Sequence, residues 1–314
     1  MTYKTTAVSI IYINEDMINQ RIDNFLQKKF KKVPKSMIYR IIRTGKIRIN
    51  KKRIKPHYKL KIGDKLRIPP IKIIYKEKNS IFATKYEKSL LNNILYEDNH
   101  LLIINKPSGI AVHGGSGINL GVIECFRKLR PLEKSLELVH RIDRDTSGIL
   151  MLAKKRKSLV SLHKQMREKK IQKKYIALVH GLWPISLRKI SEPLLTTHLK
   201  NKQKKVSINK KGKPSETYFR IKKQYLFTTL VSITPKTGRT HQIRVHTLHA
   251  GHPILFDKRY GKRNLDSNIK NKTKINRLLL HATSINFLHP ESGKKMHIMA
   301  PLDVHFKNYL NTLV

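Results

Sequence analysis

A single cysteine in 314 residues, Cys125, excludes an intramolecular disulfide and any metal site built on several thiolates. No apolar run reaches the roughly 18 to 20 residues of a membrane span. The opening MTYKTTAVSI has neither the apolar core nor the cleavage site of a secretory signal, so a cytoplasmic location is expected. Acidic residues are scarce, with 20 Asp+Glu against 67 Lys+Arg and a formal net charge of +47. So large an excess repels itself and calls for a polyanion, which could be RNA, DNA or an anionic membrane surface. It also favours a monomer until that partner neutralises it. Abundant lysine, isoleucine and asparagine point in addition to an A/T-biased coding sequence, so part of the charge serves no contact.

The length predicts two domains. Residues 17–75 read as a small basic module. Ile18, Ile22, Phe25, Leu26 and Phe30 recur at helical spacing, and a second helix runs from Pro34-Lys35-Ser36 through Ile38, Ile41 and Ile42 to a stop at Gly45. KIRINKKRI then alternates about the turn-prone Asn50-Lys51, and LKIGDKLRI adds a strand after a Gly63-Asp64 turn. This arrangement groups Lys35, Arg40, Arg43, Lys46 and Arg48. A linker is expected over 76–91, after Pro69-Pro70. Residues 92–314 alternate strand-like runs with turns, helices being expected in SLVSLHKQMREK and THQIRVHTLHAG. Strand-to-strand turns outnumber crossovers, which predicts an α+β fold with a mixed, largely antiparallel sheet behind a small N-terminal α/β module.

Several chemistries can be weighed and set aside. In HRIDRDTSG, Asp143 and Asp145 could form a glycosidase pair, since residues two apart on a strand lie about 6.6 Å apart on one face. Thr146-Ser147-Gly148 reads as a turn, however, and flanking Arg141 and Arg144 leave no apolar pocket to raise one acid's pKa. VHGGSGINLG follows a strand only after Lys106-Pro107-Ser108-Gly109 and has no Gly-Lys-Ser/Thr, so neither a dinucleotide site nor a phosphate loop is expected. His241, His246, His249 and His252 come without HExxH and without an acidic residue before Asp257, so packed or RNA-facing histidines are expected and no metal. Asp143 then stands alone between apolar runs, a supported carboxylate suited to nucleophilic or charge-stabilising work. Tyr175 could be a strand-packing residue and Arg244 a helix-surface charge.

The segments RIDNFLQKKF and KSMIYRIIRTGKIRINKKRIKPHYKLKIGDKLRI resemble the S-four-like RNA-binding domain. YEDNHLLIINKPSGIAVHGGSG, HRIDRDTSG, KKYIALVHG and TGRTHQIRVHTLHAGHPILFDKRYG resemble the successive motifs of the RluA-type pseudouridine synthases. Within that family, HGGSG and RPLEKSLELVHRIDRDTSG look most like the branch acting on large-subunit ribosomal RNA. The resemblance implies an isomerase that converts uridines of bacterial 23S ribosomal RNA to pseudouridine without metal or organic cofactor. Asp143 would be its catalytic aspartate and Arg244 the ion-pair partner that holds it. Tyr175 would stack on the flipped uracil, and Arg141 would fill the RNA helix behind it. Ile142 stands where leucine is more frequent, a swap of equal volume. The alternatives are a non-catalytic RNA-binding assembly protein, in which the basic module does the work, and a glycosidase releasing free base.

Overall fold

The protein is described from a computed structural model covering residues 2–30, 33–75, 87–114, 121–133, 135–198, 204–262, 264–267, 275 and 277–313. The chain divides into two compact units, Met1–Phe82 and Ala83–Val314. Of the expected linker over 76–91, residues 76–86 lie outside the described residues. The remainder differs from expectation: 87–91 is helical, and Leu90 is fully buried beside Leu102 and Phe126. One apolar side chain among charged neighbours gives no periodic signal to read.

In the first unit, helices α1 (Ile22–Lys29) and α2 (Lys35–Arg43) bury Ile22, Leu26, Ile38 and Ile42 in one core. Ile18 sits in the turn before α1 and packs on that core only partly. The hairpin β3 (Arg48–Ile49) and β4 (Lys52–Arg53) turns through Asn50 and Lys51, whose φ of 50° and 66° match the primed turns that hairpins favour. With β2 (Ser9–Tyr12) and β5 (Lys65–Ile68) they make a four-stranded sheet in the order β2-β5-β3-β4. Two additions were not expected. Residues before 17 contribute β2, and β1 (Thr2–Thr5) pairs with β6 (Lys72–Tyr75). Lys35, Arg40, Arg43, Lys46 and Arg48 are all exposed.

The second unit is a ten-stranded, mostly antiparallel sheet with helices packed on it, α4 (Arg156–Arg167) among them. Its path runs β12 (Lys189–Ile190), β15 (Thr217–Gln224), β16 (Thr228–Pro235), β11 (Gln172–His180), β17 (Leu280–Leu288), β10 (Ser147–Ala153), β8 (Leu101–Lys106), β7 (Ile94–Glu97). The short β9 (Glu137–Leu138) pairs with β10, β18 (Lys295–Met299) pairs with β17, and β13 (Leu194–His198) and β14 (Lys204–Ile208) form a separate hairpin. Central strands are buried on both faces. Leu101, Ile103, Ile149 and Met151 enter one core, while Leu102, Ile104, Leu150 and Leu152 enter the other with Cys125 and Phe126 of α3 (Val122–Leu129). That double burial explains why these runs read as continuous rather than alternating.

Contrary to the expected turn at Thr146-Ser147-Gly148, Ser147 and Gly148 begin β10 and pair in parallel with His281 and Ala282 of β17. Gly148 has φ of 103°, and a Cβ there would lie 2.3 Å from the Ala282 carbonyl oxygen. Glycine marks a close backbone approach at this position. Across this junction Gly148 pairs with Ala282 and Ala282 with Tyr175, so the segment leading into β10 ends in one row with the tyrosine of β11.

Candidate active site

Asp143 lies in the connection between β9 and β10, and its backbone is clamped from the Lys106-Pro107-Ser108-Gly109 stretch. The Arg144 carbonyl accepts from Gly109 N at 2.9 Å and from Lys106 Nζ at 2.9 Å, and the Asp145 carbonyl accepts from Ser108 Oγ. Lys106 is fully buried and also donates to the Pro107 and Ile110 carbonyls. Burial pushes its ammonium down to about 7. The Lys106-Pro107-Ser108-Gly109 stretch is therefore the anchor of the loop.

The Asp143 carboxylate projects into a cleft of about 490 Å³. Arg244, from the helix α5 (Gln242–His249), donates from Nη1 to Asp143 Oδ2 at 2.9 Å. The other edge of the same guanidinium is gripped by Asp257, with Nε to Oδ2 at 2.7 Å and Nη2 to Oδ1 at 2.8 Å. Asp257 is held in turn by the backbone N–H groups of Arg259 and Tyr260. Burial works against the charge of Arg244, but Asp257 and Asp143 more than offset it and hold the guanidinium protonated. Burial likewise opposes the charge of Asp257, and the hydrogen bonds from Arg244 override it to bring that carboxyl below its usual range. The planar fork suits this double carboxylate bridge in a way that lysine could not. Arg244 is thus a buried strut and not a helix-surface charge.

Tyr175 lines the same cleft and is nearly buried. Burial, with the Asp143 charge beside it, pushes its phenol well above the usual tyrosine range, so it offers a neutral ring. Arg141 is exposed at the cleft, and Arg239 joins it there, its Nε donating to the Pro214 carbonyl. The loop before α5 is organised by buried Gln242, whose Oε1 accepts from Arg239 N and Thr237 Oγ1 while Nε2 donates to the Glu216 carbonyl and Thr217 Oγ1.

Asp145 does not share the cleft. It lines a different cavity of about 700 Å³ and pairs with Arg144 at 3.1 Å, so the two aspartates are not opposed across one substrate. The histidines also separate. His246 is buried between Ser215 and Thr217, His252 binds the His180 carbonyl beside Trp183, His249 is exposed, and of these four His241 alone lines the cleft. Of the glycine stretch, residues 115–120 lie outside the described residues. Sequence reasoning missed Asp257 as the second anchor of Arg244 and Lys106 as the loop clamp. For Asp257 the available signal was a lone acid in a strongly basic segment.

Comparison with known proteins shows likeness along the whole chain. Residues 100–249 match the family described as RNA pseudouridylate synthase, and residues 20–66 match the S4 domain. A protein named Ribosomal large subunit pseudouridine synthase C from Buchnera aphidicola subsp. Schizaphis graminum is 87% identical over 314 residues, covering 100% of both chains. One of the same name from Escherichia coli (strain K12) is 52% identical over 315 residues, covering 100% of this chain and 99% of that one. Among solved structures, Human RNA Pseudouridylate Synthase Domain Containing 4 matches with a TM-score of 0.61 at 24% identity, covering 74% of this chain and 97% of that chain, a likeness of fold.

Proposed function

The chain belongs to the RNA pseudouridylate synthase family, enzymes that isomerise uridine, and we propose that its substrate is bacterial large-subunit (23S) ribosomal RNA, on which Asp143 carries out the reaction. The observation that carries this reading is the Asp257–Arg244–Asp143 chain, which aims one carboxylate into a cleft walled by Tyr175. The reaction breaks the N1–C1′ bond, turns the uracil within the cleft and forms the C5–C1′ bond. The hydrogen on C5 is released and N1 gains a proton, so nothing is lost or added overall.

A base inside a duplex is out of reach and must be flipped, at a cost of a few kcal/mol in lost stacking. Stacking on the neutral Tyr175 ring offsets part of that cost, and Arg141, exposed at the rim, fills the gap left in the RNA helix. Arg244 keeps Asp143 aimed while the carboxylate either adds to C1′ or takes a proton from C2′. A site aimed by buried struts rather than by solvent-exposed rotamers needs little reorganisation when substrate enters. Lys35, Arg40, Arg43, Lys46 and Arg48 contact phosphates, which adds affinity without reading sequence. The enzyme works in the cytoplasm as a monomer. Among the described residues no helix is long and apolar enough to cross a membrane.

The test is tritium release from uracil C5 of a large-subunit rRNA transcript, with mass spectrometry of the digested RNA. Pseudouridine has the mass of uridine but fragments without losing ribose. The wild-type chain should release tritium and Asp143→Asn should not. Free uracil as product, or activity intact in Asp143→Asn, would overturn the reading. Mapping pseudouridines in ribosomal RNA with and without the gene identifies the target positions.

A further inference from the structure

His241 is the one residue bounding α5 that sits in the left-handed region, with φ of 53° and ψ of 19°. A non-glycine residue held there costs on the order of 1–2 kcal/mol, and Gln242 supplies the hydrogen bonds that enforce it. The strain turns the imidazole into the cleft, edge-on to the Tyr260 ring at 5.5 Å.

The hydrogen-bond network assigns its tautomer. The Tyr260 hydroxyl oxygen accepts from Val206 N at 3.2 Å, and among the described residues the one acceptor within reach of its own hydrogen is His241 Nδ1 at 2.8 Å. The imidazole proton therefore sits on Nε2. That N–H has no hydrogen-bond partner among the described residues and lies 3.9 Å from Asp143 Oδ2, beyond hydrogen-bond reach. Burial depresses the imidazole basicity, against the pull of Asp143, and keeps the ring a neutral single donor.

An oxygen about 2.8 Å from both atoms fits this gap, and it must accept from the imidazole while donating to the carboxylate. A hydroxyl meets both demands. A uracil carbonyl accepts only and would face the carboxylate charge. We propose that His241 recognises the ribose 2′-hydroxyl of the target uridine, donating Nε2–H to its oxygen while the hydroxyl hydrogen is given to Asp143. This rests on the reading of Asp143 as the carboxylate that reacts at C1′ or C2′, since either position brings the oxygen on C2′ beside it. The pair thereby distinguishes RNA from DNA at the reacting nucleotide.

The experiment uses the full chain and two forms of one stem-loop, spanning a mapped target, with uridine or 2′-deoxyuridine at that position. Single-turnover rates and competition affinities are measured for wild type, His241→Asn and His241→Gln. Asparagine tolerates the left-handed backbone but is too short to reach the Nε2 position, whereas the glutamine amide reaches it. Wild type should bind the deoxy form more weakly by roughly 30-fold or more, because two hydrogen bonds are lost and one of them is to a charged group. His241→Asn should lose part of the discrimination, the part that remains being the hydrogen bond from the hydroxyl to Asp143, and His241→Gln should retain most of it. Discrimination undiminished in His241→Asn, or equal losses on both RNAs, overturns the role of His241. Pseudouridine formation from the uridine stem-loop is followed in the same samples: its absence in wild type overturns the reading of the site, and its presence confines any failure to His241.

Discussion

Asp257→Asn tests whether the aim of Asp143 depends on a residue that touches no substrate. Arg244 is 5% exposed and Asp257 2%, so their ion pair is buried. Asparagine keeps the size and one acceptor oxygen, which still serves the Arg259 and Tyr260 N–H groups. Its amide nitrogen, however, now faces a guanidinium N–H where a charge-assisted bond of 2.7 Å stood. Removing one partner of a buried pair costs about 3–5 kcal/mol. The lower end applies here because Asp143 still compensates part of the Arg244 charge at 2.9 Å. For a domain of this size a loss of about 3 kcal/mol lowers the melting temperature by about 6–12 °C. Activity should fall further than stability implies, because a carboxylate displaced by roughly 1 Å loses about a hundredfold in rate. The control is Asp143→Asn, whose side chain is a quarter exposed. That variant should melt within a few degrees of wild type and yet be inactive. Circular dichroism melts and tritium-release kinetics read both quantities. An Asp257→Asn enzyme with wild-type melting and wild-type kcat would refute the strut.

Gly148→Ala should destabilise by more than about 3 kcal/mol, since the added Cβ meets the Ala282 carbonyl at 2.3 Å and the φ of 103° is strained for alanine. A denaturant midpoint near that of wild type would contradict the close approach of β10 and β17. Buried His281 and His140 are pushed down by desolvation to about 4 and about 3. Below about 6.5 the unfolded chain therefore binds protons that the folded chain refuses, and stability declines as pH falls from 6.5 toward 4. Each histidine should contribute about 2 kcal/mol of that loss between pH 7 and pH 5, read from urea midpoints; a flat profile is the contrary result. Replacing Arg40 and Arg43 with glutamine should leave the melting of the second unit unchanged. It should reduce the slope of log affinity for rRNA against log salt by roughly 0.7 to 0.9 per lost phosphate contact, and an unchanged slope in anisotropy titrations removes them from the interface.

Local chemistry made much of the fold legible. The i, i+3, i+4 stripes of Ile22, Leu26, Ile38 and Ile42 announce α1 and α2, and Asn50-Lys51 announces its hairpin because few residue pairs accept two positive φ values. The extra strands β1, β2 and β6 escaped notice because each is four residues long and finds its partner far along the chain. Thr146-Ser147-Gly148 carries turn residues, but its glycine answers to the backbone of β17, and nothing local encodes a neighbour about 130 residues away.

At the site, the residues themselves declared a lone carboxylate, Asp143, supported by apolar runs and set in a strongly basic chain, and their motif order declared the family. Spacing and charge alone could not decide what aims that carboxylate, a role that only the family resemblance gave to Arg244. Arg141 and Arg144 are nearest in the chain, yet Arg141 is exposed at the cleft and Arg144 turns to Asp145. Packing α5 against the loop puts Arg244 on Asp143, Asp257 behind Arg244, and Lys106 under the loop backbone. An ion pair depends on separation in space and on burial, and both come into being only when the chain folds.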